Sequence, residues 1–322
     1  MKTLVFIALT TIIPASAGPI FSFTSFDGPG DNGGGTTVNG INANGQVVGF
    51  SSNGSATVFT NFIRNTDGTF TVLNVNNDPL AMANGLNNAL TVVGGSNNAA
   101  FALNGALFSQ LPNVNGTTAA EIAFGINNAG LVVGQYTDSS TGTNPGFLYS
   151  GGSFTILNPV ANAAVTNAQG VNNNGLVTGF YSVDGVHQHG FFYNSGTSSF
   201  SLPPDPNIPN LVLTQFLGLN DLGIAVGYYQ LPDGSQHGFL YNIATQTYTF
   251  LDDPNAATSG LSITQITGIN DAGEITGFYV DANTGLQRGF IGTAVPEPGT
   301  LGLLLAALSL IPFLRRAAAR VK

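Results

Sequence analysis

Apolar and polar residues alternate along this chain in short runs, and the runs are separated by clusters of Gly, Asn, Asp and Pro. One stretch shows the pattern clearly. "LVLTQFLGLN" (Leu211–Asn220) alternates loosely and reads as a strand. "NDLG" is turn chemistry, and "IAVGYY" (Ile224–Tyr229) is a β-branched and aromatic strand. After the loop "QLPDGSQ" come a third strand, "HGFLYN" (His237–Asn242), and a fourth, "QTYTFLDDP" (Gln246–Pro254), ended by proline. The pattern predicts four short antiparallel strands in one unit.

The unit recurs. "GINANGQVVGF", "GLNNALTVVGG", "GINNAGLVVGQY", "GVNNNGLVTGFY", "GLNDLGIAVGYY" and "GINDAGEITGFY" begin at Gly40, Gly85, Gly125, Gly170, Gly218 and Gly268. Successive starts are 45, 40, 45, 48 and 50 residues apart. Such a period without helical periodicity points to a propeller-like array or a β-solenoid. The second unit is the shortest and least regular. The last stops after its third strand, "RGFIG". The segment near the N-terminus, "FSFTSFDGPG" (Phe21–Gly30), looks like an orphan fourth strand. Pairing it with Gly289–Gly292 would complete the final unit and remove an exposed edge. The expected fold is therefore all-β: a six-bladed β-propeller of four-stranded repeats over residues 18–294, closed by an N-terminal strand. Within the repeated word, Asn270, Asp271 and Gly273 are expected at positive φ in a tight hairpin, and Gly277 where strands approach closely.

The two ends read as addresses. "MKTLVFIALTTIIPASAG" has a basic start, an apolar stretch and Ala-Ser-Ala, the layout of a signal peptide (residues 1–17) cut between Ala17 and Gly18, with export through the Sec translocon. The last 28 residues (295–322) combine Pro296-Glu297-Pro298, the apolar run Leu301–Leu314 and a basic cluster beginning at Arg315-Arg316. The run is short for a comfortable membrane span, and the arginines fit a positive-inside stop. This three-part end resembles the PEP-CTERM sorting signal of Gram-negative bacteria. The resemblance implies transient anchoring in the inner membrane through the C-terminal helix, processing by an exosortase near Pro296, Glu297 and Pro298, and association with exopolysaccharide and biofilm. Glu297 would be read by that enzyme. The repeated word followed by "HGF[LF]Y" also resembles the HAF-type extracellular repeat, with His189-Gly190-Phe191 and His237-Gly238-Phe239 where the family has His-Ala-Phe. The units at Gly146 and Gly289 lack the His. That resemblance implies an extracellular module and brings no catalytic residues.

Composition narrows the chemistry. Charged residues are 7%, with 43 Gly, 23 Phe and no Cys. Disulfides, thiolate metal sites and Cys nucleophiles are excluded. Residues 18–298 hold all 16 acidic residues against Arg64 and Arg288, about −14 by formal count. Such a body repels nucleic acid and anionic membranes.

Candidate sites are few. His187 and His189 could share a strand face and chelate a metal, with His237 at the place equivalent to His189. Only three His exist, and hydrogen-bonded strand-edge His is the plainer reading. Calcium is the one cofactor left open, through Asp221 and Asp271 in the repeated turn and Asp138, Asp184, Asp233 and Asp281 in the loops between second and third strands. Turn geometry accounts for the same residues. There is no Gly-x-Ser-x-Gly, and Glu occurs only at 121, 274 and 297. Asp252 and Asp253 precede Pro254 as a turn. "GDNGGGTT" (Gly30–Thr37) has no helix after it and reads as a flexible linker. Tyr136, Tyr181, Tyr228, Tyr229 and Tyr279 would stack on sugars if they face out, or build the core between blades. The reading is a non-catalytic binding or structural module without catalytic or metal residues. Its rivals are a polysaccharide-acting propeller enzyme and a calcium-binding surface module. Function, if local, is expected where the copies differ, around Asp138, Asp184, Asp233 and Asp281.

Overall fold

A computed structural model describes residues 20–54, 58–114, 120–258 and 260–295. Ala17, Gly18, Pro296, Glu297, Pro298, the rest of the signal peptide and the C-terminal apolar run lie outside the described residues. Among the described residues no helix is long and apolar enough to cross a membrane. Phe23–Thr293 form one compact unit. Of the other unit only Ile20–Ser22 and Ala294–Val295 are described, as the ends of two strands.

The N-terminal strand β1 (Ile20–Phe26) precedes blade 1, which is β2 (Thr36–Ile41), β3 (Val47–Ser52), β4 (Phe59–Arg64) and β5 (Phe70–Leu73). Blade 2 is β6 (Met82–Leu86), β7 (Thr91–Ser96), β8 (Ala99–Asn104) and β9 (Leu107–Gln110). Blade 3 is β10 (Glu121–Ile126), β11 (Val132–Tyr136), β12 (Gly146–Ser150) and β13 (Ser153–Leu157). Blade 4 is β14 (Val165–Val171), β15 (Leu176–Ser182), β16 (His189–Asn194) and β17 (Ser199–Ser201). Blade 5 is β18 (Leu213–Leu219), β19 (Ile224–Gln230), β20 (Gln236–Asn242) and β21 (Thr247–Phe250). Blade 6 is β22 (Thr264–Ile269), β23 (Ile275–Val280) and β24 (Gln287–Val295), and its fourth strand is β1. Each blade is an antiparallel four-stranded sheet, so the fold is a six-bladed β-propeller closed by strand exchange between the chain's ends.

Side chains on both faces of each sheet are buried against the neighbouring blades. Phe62, Phe101, Phe147, Phe191, Phe239 and Phe290, one per third strand, are all 0% exposed. Burying each ring contributes about 1.5–3 kcal/mol. In blades 3 to 6 the residue before this Phe is Gly and the next blade packs on it, whereas blade 2 has Ala100 and blade 1 Asn61. In blade 4 the glycine is Gly190, where a Cβ would overlap the ring of Phe216.

The closure differs from the expectation only in its limits. The strand is Ile20–Phe26, and Asp27–Gly30 leave it. Phe23 packs edge-on to Phe290 at 5.3 Å, and Phe26 reaches Phe62 at 6.4 Å and Phe70 at 6.1 Å. The Arg64 guanidinium lies 4.8 Å from the centre of the Phe26 ring. Arg288 holds Asp27 with two bonds of 2.8 and 3.0 Å. The Gly-rich segment that follows is pinned rather than free. Asp31 accepts from the N–H groups of Gly33 and Gly35 and from the Thr36 hydroxyl at 2.6 Å.

Candidate binding site in the central channel

The repeated word builds the hub. In each copy the Asn after Gly-[Ile/Leu/Val] is buried: Asn42, Asn87, Asn127, Asn172, Asn220 and Asn270. Its Oδ1 accepts two backbone N–H groups of its own turn. For Asn172 these are Asn174 at 3.1 Å and Leu176 at 2.9 Å. Its Nδ2 donates to the carbonyl of the equivalent Asn in the next blade, Asn172 to Asn220 at 3.0 Å and Asn220 to Asn270 at 3.1 Å. The last link, Asn270 to the Asn42 carbonyl at 3.2 Å, closes the circle. A second, exposed circle lies beside it. The N–H groups of Ala43, Asn88, Asn128, Asn173 and Asp221 each donate to the side chain at the equivalent position of the next blade. It is interrupted after Asp271, because Ala43 has no oxygen to offer. Asp221 and Asp271 thus serve as inter-blade acceptors.

The expected backbone of this turn needs correction. Asn270 and Asp271 are not at positive φ; only Gly273 is, at 78°. Oδ1 of Asn270 does what a left-handed residue was expected to do, by capping the turn's N–H groups. Gly45, Gly130, Gly175 and Gly223 match Gly273, but blade 2 has Leu90 at 60°. A left-handed side chain costs about 1–2 kcal/mol, partly offset by the greater unfolded-state entropy of Gly. Leu90→Gly is therefore expected to raise stability by about 0.5–1 kcal/mol in denaturant titrations. Gly277 is placed as expected: a Cβ there would overlap the Gln265 carbonyl oxygen.

Every inner strand carries a bulge directly before the repeat glycine, for example between Ala123 and Gly125. The bulge aims one residue per blade at the channel: Asn39, Asn84, Phe124, Gln169, Leu217 and Thr267. Apart from Asn39 and Asn84 these differ from copy to copy, whereas the Asn below them does not. Asn39, Asn84 and Thr267 donate to the backbone of the following blade, to Ala83, Ala123 and Val38 at 3.1, 2.9 and 2.8 Å. With Phe50, Met82, Ile122, Gln215, Gln265 and Phe278 they line a cavity of about 350 Å³ at the channel end opposite the Asn circle. The lining is carboxamides, aromatic rings and aliphatic groups. Gln215 and Gln265 are steadied by Gln188 and Gln236.

A larger cavity of about 570 Å³ lies at the seams of blades 1, 2 and 3 and shares Met82 and Ile122 with the channel cavity. It includes Glu121, 3% exposed, and Tyr136, 4% exposed. Burial pushes both groups' pKa up.

The other singled-out residues are structural where they are described. His187 and His189 do not come together. His187 precedes β16 and bonds Asp184 at 2.6 Å; His189 bonds Asp205 at 2.6 Å and His237 bonds Asp252 at 2.7 Å. His189, His237 and Arg288 are one device, a cationic or neutral donor before Gly-Phe that clasps the Asp after the fourth strand. The recurring Asp in "FDGP", "PPDP" and "LDDP" was the available signal for it. Asp138, Asp184, Asp233 and Asp281 each accept from N–H groups of their own loops. Hydrogen bonds lower their pKa, chiefly those from the side chains of Ser140, His187 and Ser235 for Asp138, Asp184 and Asp233, and those from the N–H groups of Thr284 and Asn283 for Asp281. Asp253 is 2% exposed, and burial raises its carboxyl. Tyr136, Tyr228 and Tyr279 are core; burial pushes the Tyr228 phenol up to about 12. Tyr181 and Tyr229 are half-buried and lie against His189 and His237. The bulge residues were missed because the six copies carry five different residue types there. Their constant place before the repeat Gly was the only clue.

The fold defines the chain as a six-bladed propeller with a capped hub and a variable channel mouth. No family model matches the sequence, and no curated protein matches it. Solved structures do. The chain is similar to TolB from Acinetobacter baumannii at 13% identity and a TM-score of 0.51, over 76% of this chain and 63% of that one. It is also similar to a prolyl endopeptidase at 14% identity and a TM-score of 0.44, over 78% and 40%. YCF48 bound to D1 peptide aligns at 13% identity and a TM-score of 0.40, over 85% and 97%. The chain thus spans less than two thirds of the first two. These likenesses describe the fold alone.

Proposed function

We propose that this is an exported surface or extracellular-matrix protein whose propeller binds a polyhydroxylated chain at the channel mouth without transforming it. The observation that carries the reading is the lining of that mouth. Carboxamides such as Asn39, Gln169 and Gln215 match hydroxyl groups, and Phe50, Phe124 and Phe278 offer faces to the C–H side of a sugar ring. Export rests on the N-terminal signal layout, with cleavage between Ala17 and Gly18. Exosortase processing at Pro296-Glu297-Pro298 and association with exopolysaccharide rest on the PEP-CTERM resemblance.

The test is incubation of the full-length protein with the exopolysaccharide of its own host. Expected is retention of the polymer with unchanged chain length. Phe124→Ala, at a half-buried position, is expected to weaken retention about tenfold while leaving the melting temperature within a few degrees. Shortening of the polymer would replace this reading with that of a polysaccharide-acting enzyme.

A further inference from the structure

Blade 2 interrupts the rim of the propeller. Its second and third strands, β7 and β8, are joined by a two-residue turn, Asn97-Asn98, both at positive φ (50° and 61°). In blade 3 the equivalent connection runs over residues 137–145, and in blade 1 over residues 53–58. The short turn leaves a notch, and the 570 Å³ cavity lies in it. Because Met82 and Ile122 line both cavities, the notch continues outward from the channel mouth.

The notch contains an unusual side chain. At the place of Glu121 the other blades have Thr36, Thr166, Thr214 and Thr264, all 0% exposed, or Ala81. Thr36 and Thr264 accept the N–H of the preceding blade's last loop, at Gly28 and Asp253. Glu121 does the same with Oε1, which accepts from Val114 at 2.6 Å. Its second oxygen, Oε2, is buried with no hydrogen-bond partner among the described residues. Thr would have sufficed for the shared bond, so the extra carboxylate oxygen is surplus to the fold. A second carboxylate in the lining, Asp78, is committed to Ser96 and Asn97. Among the described residues lining this cavity there is no Lys, Arg or His. An unpartnered carboxylate oxygen in the wall of a cavity whose described lining holds no counter-charge is matched by a ligand cation.

We infer that the notch is a subsite for a primary ammonium group, and that the chain bound at the channel mouth is an amino-sugar polymer. This rests on the reading of the mouth as a saccharide site and adds the charge the ligand carries. Phe59, Leu80 and Met82 supply the apolar wall for the ring that bears the ammonium, and Leu80 is 51% exposed. The carboxamide mouth favours hydroxyl-rich chains over peptides.

Calorimetry on the full-length protein at neutral pH tests this, with a glucosamine pentamer and its fully N-acetylated counterpart as probes. The free-amine pentamer is expected to bind about tenfold tighter. Glu121→Gln, which keeps the bond to Val114, is expected to abolish that preference and leave the acetylated pentamer unchanged. Glu121→Thr, the residue of four other blades, is expected to do the same, so a folding defect in one variant does not decide the outcome. Asp184→Asn removes a charge outside the notch and is expected to preserve the preference. Equal affinity for the two pentamers, or a preference that survives Glu121→Gln, overturns the ammonium subsite and leaves the channel reading standing. Binding of pentalysine as tight as that of the free-amine pentamer overturns the amino-sugar assignment. Failure of both pentamers to bind overturns both readings.

Discussion

Deleting Phe21–Asp27 is expected to lower the melting temperature by more than about 10 °C, measured by calorimetry on the otherwise full-length protein. The deletion removes the outer strand of blade 6 and frees the edge of β24. It takes Phe23 from Phe290, Phe26 from Phe62 and Phe70, and Asp27 from Arg288. Loss of a single buried Phe side chain costs about 3–5 kcal/mol, and a domain of this size loses roughly 2–4 °C per kcal/mol. The exposed edge is also expected to promote association, visible in light scattering. An unchanged melting temperature would mean that the ring does not depend on this strand.

The second large effect is expected at the hub. Asn172→Asp preserves the shape and the acceptor Oδ1 but replaces the donor Nδ2 by an oxygen facing the Asn220 carbonyl, now 3.0 Å away. Asn172 is 6% exposed, so the new charge has little water around it. The cost is expected to be about 3 kcal/mol at neutral pH, from the lost donor and the buried charge together. Burial raises the folded pKa of such a carboxyl. Stability is therefore expected to recover as pH falls through that value, where protonation restores a donor. Asn128→Asp is the control. That side chain is exposed and only accepts, as Asp221 and Asp271 already do at the same position. Its effect is expected to stay within about 0.5 kcal/mol. Equal losses in the two variants would show that the buried circle has no special weight.

Much of this architecture was legible because repetition multiplies weak local signals. One copy of "GLNDLGIAVGYY" is an ambiguous hairpin, whereas six at a near-constant period require blades. The missing fourth strand after Arg288 pointed to Phe21–Gly30 as its replacement. The hub was only half legible. Asn270 stood out, but its work is to bridge blades through Nδ2, a contact between residues separated by a whole repeat or, at the closure, by 228 residues. Local turn chemistry suggested positive φ instead. The candidate site was less legible still. Bulges shift register by one residue, and nothing in the alternation around Ala123 and Gly125 announces that Phe124 leaves the pattern. Glu121 read as one of three scattered glutamates. Its meaning appears only when it is compared with the buried threonines at the same place in other blades.

The closure has a consequence for proteolysis. Between residues 20 and 295 the only sites for a protease specific for Lys or Arg are Arg64 and Arg288. One lies over the Phe26 ring and the other grips Asp27, so both cleavable side chains are occupied by the last residue of β1 and the one after it. While β1 is seated, such an enzyme is denied both of its sites in the propeller. When β1 leaves, both side chains lose that partner, but Arg64 stays paired with Val47 and Phe70 inside blade 1. Nicking at Arg288, on the edge strand that β1 covers, thus reports opening of the ring, and the strand that completes the fold also shields that site from trypsin-like enzymes.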